Sequence, residues 1–140
     1  MGFLSNLQKI GGSLAEKFAG FVERIANQGE FDAVMAAVVL VATADGTVSD
    51  AEQAAACGLL KTHPAFGGFS SKDIDAKFKE GAGLVGMDVV YGAEALYDRI
   101  RAVTDPASRA KIGTIAFQIA AADGSVDPKE KAVIDKIRAL

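Results

Sequence analysis

Two short stretches hold the side chains that could do chemistry. ADGTVSDAE, from Ala44 to Glu52, and ADGSVDPKE, from Ala122 to Glu130, each place an aspartate before a glycine and a glutamate downstream. Asp45 and Asp123 lie 78 residues apart, as do Ser49 and Asp127, and Glu52 and Glu130. All six are oxygen donors, and no His or Cys stands beside them. Such a set suits a hard divalent cation better than a thiolate-type zinc site. Aligned on the glycine of a calcium EF-hand loop, Asp45 falls at position 5, the Thr47 carbonyl at 7, Ser49 at 9 and Glu52 at 12. Asp123, the Ser125 carbonyl, Asp127 and Glu130 fall likewise. The leading acidic ligands are missing, because Val41 and Thr43, then Ile119 and Ala121, occupy their places.

Each stretch is therefore half a loop. Calcium takes roughly 6–8 oxygens and magnesium six, so water or the other half-loop would have to complete the shell. A purely structural reading stands beside this one. Ser49-x-x-Glu52 and Asp127-x-x-Glu130 are capping boxes, and Gly46 and Gly124 suit the residue that ends a helix. Capping leaves Asp45 and Asp123 unused, at helix C-termini whose dipole disfavours a carboxylate. A bound cation would offset both charges.

The elements that position these stretches are helical throughout. Apolar residues recur at three- and four-residue spacing from Phe3 to Ile25, predicting an amphipathic N-terminal arm over residues 1–27. A second helix, Phe31 to Ala44, is apolar nearly all round and belongs at the centre. A third starts at Ser49 and stops near His63-Pro64. A fourth starts at Ser70 or Ser71 and frays through Gly81, Gly83 and Gly86. A fifth holds Val89, Val90, Ala93, Leu96, Tyr97, Ile100 and Val103. The sixth and seventh open on Asp105-Pro106 and Asp127-Pro128, each an N-cap followed by proline at the first helical position. The prediction is one all-α domain over 1–140, a bundle of about seven helices. Within it, helices two and three and helices six and seven form an internal pseudo-repeat of two helix–loop–helix units.

Composition narrows the function classes. A chain of 140 residues can bury a core without disulfides or metal staples. With a net charge of −3 and mixed signs along the chain, nucleic acid is not the expected partner. The single Cys57 and the lack of a secretory signal at the N-terminus fit the cytoplasm. MGFLSN fails the myristoylation pattern at Asn6. The longest apolar run, Ala33 to Ala44, falls short of the roughly 20 residues a membrane span needs.

With both motifs on an all-helical domain of this length, the chain resembles the TerB tellurite-resistance family over roughly Phe18 to Leu140. The resemblance implies a bundle of about seven helices with an acidic, metal-binding face built from both loops. Carried onto this sequence, the family's acidic positions are Asp45, Glu52, Asp123, Asp127 and Glu130, with Ser49 in place of an acid. It also implies tellurite and stress resistance, through other proteins in a membrane-associated complex with a TerC-like partner. The expected location is then cytoplasmic and peripheral at the inner membrane.

The remaining residues add no catalysis. His63 before Pro64 reads as a helix-end cap, Cys57 as core, and Tyr91 and Tyr97 as half-buried. No nucleophile or cofactor loop accompanies the carboxylates, so no enzyme is expected. Two readings stay open: a divalent-cation-binding adaptor, with Ca²⁺ or Mg²⁺ favoured, and a metal-independent scaffold whose repeated turns are only caps.

Overall fold

The computed structural model describes residues 24–123 and 126–140, with Asp123 described by its backbone alone. Six α-helices occur among the described residues: α1 (Gln28–Ala42), α2 (Asp50–Thr62), α3 (Ser71–Met87), α4 (Val89–Arg101), α5 (Pro106–Ala120) and α6 (Pro128–Ala139). Short 3₁₀ turns, Pro64–Phe66 and Ala121–Asp123, follow α2 and α5. The seventh helix expected, the N-terminal one, lies outside the described residues apart from 24–27, which are not helical.

α1 is the axis of the fold. Every residue from Ala33 to Ala42 is buried, and α3, α4, α5 and α6 all pack on it. It starts three residues earlier than the sequence suggests, because the Asn27 side chain caps the Glu30 N–H at 2.9 Å. It also ends two residues sooner. The Thr43 N–H makes the last helical bond, to the Val39 carbonyl at 2.9 Å, and its hydroxyl adds a second bond to the same oxygen at 2.8 Å.

The repeat extends beyond the motifs. α5 is α1 displaced by 78 residues at both ends, and α6 begins 78 residues after α2. The caps match as well: Asn27 with Asp105, and Ser49 with Asp127.

The α3–α4 hairpin corrects two expectations. α3 does not fray at its glycines but runs unbroken to Met87, held by buried Ile74, Phe78 and Val85. Gly81 is a packing site: a Cβ there would lie 3.1 Å from a Val39 methyl. Val89 and Val90 do not join the core, and Tyr91 is not half-buried. They are exposed, as is Met87, while Gly92, Leu96, Tyr97 and Ile100 form the buried face of α4. The cause is a backbone approach. A Cβ on Gly92 would meet the Leu84 carbonyl oxygen at 2.3 Å, so the two helices touch there, and residues 87–91 project as the tip beyond.

Candidate metal centre

The first corner is built from the end of α1. After Thr43, the Ala44 N–H donates to Val41 O and the Gly46 N–H to Thr43 O, both at 3.2 Å. Gly46 then reverses the chain at a φ of 139°, a backbone state essentially confined to glycine. Val48 packs against the core, which fixes Ser49 at the start of α2. There the Glu52 N–H donates to Ser49 Oγ at 3.1 Å, and Glu52 Oε1 accepts from the Ser49 N–H at 3.0 Å. The capping box is complete.

The second corner repeats this construction. Ala121–Asp123 continues α5 as a 3₁₀ turn, and Val126 packs on the core as Val48 does. Asp127 Oδ1 accepts from the Glu130 N–H at 2.9 Å, and Glu130 Oε1 accepts from the Asp127 N–H at 3.2 Å. Glu130 is only 2 % exposed, whereas Glu52 is half-buried. Gly124, Ser125 and the Asp123 side chain lie outside the described residues.

The six predicted site residues therefore separate into three groups. Ser49 with Glu52, and Asp127 with Glu130, are brought together as hydrogen-bonded pairs. Asp45 is exposed in the turn, outside either pair. Because α1 stops at Ala42, Asp45 is also further from the last helical carbonyls than expected. Its conflict with the dipole shrinks accordingly, since that field fades within a turn. Asp123 ends the 3₁₀ turn, three residues past α5 as Asp45 is three residues past α1. Among the described residues no group of three or more His, Cys, Asp or Glu is gathered to hold a metal. In chemistry the donors are all oxygens, the type a hard cation takes.

With both corners in view, the comparison with known proteins is informative. The family described as tellurite resistance protein TerB matches residues 31–140. The chain belongs to the TerB family. The match spans both TerB corners and all but the first turn of α1. No curated protein and no solved structure matches the chain significantly.

Two buried polar clusters in this TerB chain escaped the sequence reading. Glu30, 3 % exposed, accepts from Lys111 Nζ at 2.8 Å, from Ser108 Oγ at 2.8 Å and from the Ala26 N–H at 3.0 Å. Burial alone would raise its pKa, but these hydrogen bonds and the Lys111 charge outweigh it and hold the carboxyl below its usual value. His63 caps, as expected, and also bridges. Its Nδ1 accepts from the Ala65 N–H at 3.1 Å, which leaves the proton on Nε2 for Gln118 Oε1 at 2.8 Å. Burial lowers its pKa, and the Gln118 hydrogen bond opposes this only in part. Only the capping half was legible, because Gln118 is 55 residues away.

Proposed function

We propose that this TerB protein is a tellurite- and stress-resistance adaptor, a binding module rather than an enzyme. Its two acidic corners take up a divalent cation, Ca²⁺ or Mg²⁺ in preference to softer ions, through Asp45, Ser49, Glu52, Asp123, Asp127 and Glu130. Its partners are other proteins, in a membrane-associated complex with a TerC-like component. No helix among the described residues is long and apolar enough to cross a membrane, so attachment through a partner is the route this reading takes. The observation that carries it is the duplicated corner. Both copies keep an aspartate that capping does not use, on an oxygen-only donor set, in a chain of the TerB family.

The completeness of both capping boxes favours a second reading, a metal-independent scaffold. Calorimetric titration of chelator-treated protein with Ca²⁺, Mg²⁺, Mn²⁺ and Zn²⁺ separates the two. Binding of a hard ion that is weakened by Asp123→Ala supports the adaptor. No heat with any ion leaves the scaffold.

A further inference from the structure

The α3–α4 tip presents four large apolar side chains to solvent within five residues. Met87 is 88 % exposed, Val89 64 %, Val90 81 % and Tyr91 72 %. The corner that carries them is firmly built. Asp88 caps α4 by accepting from the Tyr91 N–H at 2.9 Å, and its carbonyl accepts from the Gly92 N–H at 2.8 Å. Its own N–H donates to Leu84 O at 3.3 Å, and Gly92 lies against the Leu84 carbonyl. A contiguous apolar group held outward on a rigid hairpin marks a contact surface more often than a scatter of single side chains does.

Its surroundings are predominantly acidic, with Lys79 beside Asp50 and Lys136 over the Tyr97 ring of α4, near Glu94, as cations close to it. Phe31 and Phe69, near the starts of α1 and α3, stack at 4.1 Å, and Val39 further along α1 packs beside Gly81 further along α3. These helices therefore run in the same direction, and their C-terminal ends lie side by side. α2 runs back against α3, with Lys61 near its end bonded to Asp75 near the start of α3 at 2.8 Å. The tip and the first acidic corner thus share one end of the bundle. Residues 25–60 and 80–98 contain no Lys or Arg, whereas Asp45, Asp50, Glu52 and Asp88 belong to this end. Lys79, two turns back from the tip, faces α2.

We propose that this end docks a partner segment that is both apolar and basic, such as an amphipathic helix with Lys or Arg along its flanks. Charge selects this occupant. A second copy set tip to tip would oppose acid with acid, and an anionic lipid surface would meet the same repulsion. The inference rests on the adaptor reading only in taking a protein as the occupant, and it needs no bound ion.

Full-length protein in chelator, titrated into a fluorescent 18-residue Leu/Lys amphipathic peptide, tests it against a Leu/Glu peptide of the same pattern. The Leu/Lys peptide should bind and the Leu/Glu peptide should not. Val90→Ser/Tyr91→Ser should weaken binding by at least about tenfold, the least expected from losing one buried valine-sized contact. Both side chains are exposed, so the melting temperature of that variant should match the wild type. Equal affinity of variant and wild type would show only diffuse charge attraction and overturn the proposal. Tip-dependent self-association in sedimentation, or tip-dependent binding to neutral phosphatidylcholine vesicles, would overturn it in favour of a second copy or a lipid surface. Because no metal is present, failure here is distinct from failure of the cation titration.

Discussion

The Ser108 hydroxyl donates to the Glu30 carboxylate at 2.8 Å, and the two residues occupy the same position of the two repeats. Equivalent turns of α1 and α5 thus meet directly, and Lys111 neutralises the carboxylate one turn further along α5. Removing one partner of a buried ion pair is costly because the other charge is left without compensation. Glu30→Ala should therefore destabilise by about 3 kcal/mol, and Ser108→Ala by about 1 kcal/mol. Urea unfolding of both variants and of the double variant checks this. The single effects should not add.

The same carboxylate sets a pH dependence. Its folded pKa is lowered, so its contribution is complete above the ordinary carboxylate pKa and is lost as pH falls through the folded value. Wild type should lose stability on acidification below about pH 4.5, and Glu30→Gln should flatten that limb. Parallel acid limbs would contradict it.

His63 acts in a higher window. Its folded pKa is also lowered, so the folded state favours the neutral ring. Stability is complete above about pH 6.5 and declines below it, as the unfolded chain takes up a proton that the folded ring resists. Protonation of Nδ1 would also abolish its acceptance from the Ala65 N–H. Urea midpoints between pH 7.5 and 5 should fall for wild type and stay nearly level for His63→Asn, whose side-chain oxygen can keep the cap.

The corners separate capping from cation binding. Without metal, Asp127→Ala should cost about 1 kcal/mol through its cap, and Asp45→Ala should be close to neutral. With a hard cation, Asp123→Ala should weaken binding more than Asp45→Ala, because the second corner has three carboxylates against two. Ser49→Asp should strengthen it. Thermal melts with and without excess ion report both effects. A Ser49→Asp variant that gains no ion response would count against coordination at the first corner.

Cys57 is buried in α2, and burial, reinforced by the nearby Asp75 charge, pushes its thiol up to about 12. The thiolate is the reactive form. A disulfide reagent at pH 8 should label native protein far more slowly than protein in urea, and rapid labelling of the native state would be inconsistent with this packing.

Features that depend on local chemistry could be read from the chain. Asp105-Pro106, Asp127-Pro128 and Ser49-x-x-Glu52 announce their helices because a cap and its donor lie within one turn, and α1 announces its burial because it lacks a polar face. Asn27 was less visible, since Gln28-Gly29 opens the helix with a poor helix former. Val89 and Val90 fit an inward spacing, but whether they are covered depends on where Gly92 meets Leu84, and periodicity carries no such information. Glu30 gave no sign of its role, because its partners lie 78 and 81 residues away. The paired aspartates were conspicuous as a repeat. The Ser49–Glu52 and Asp127–Glu130 bonds belong to the backbone caps.

The burial of α1 on every side has a consequence for how the molecule comes apart. A helix with no solvent-facing stripe has no stable existence until the elements around it are in place, so neither hairpin of the repeat can persist without the other. The repeat is twofold, but the unfolding unit is single. Amide protons of Val34 to Val41 should exchange with solvent only through opening of the whole domain, at one shared rate.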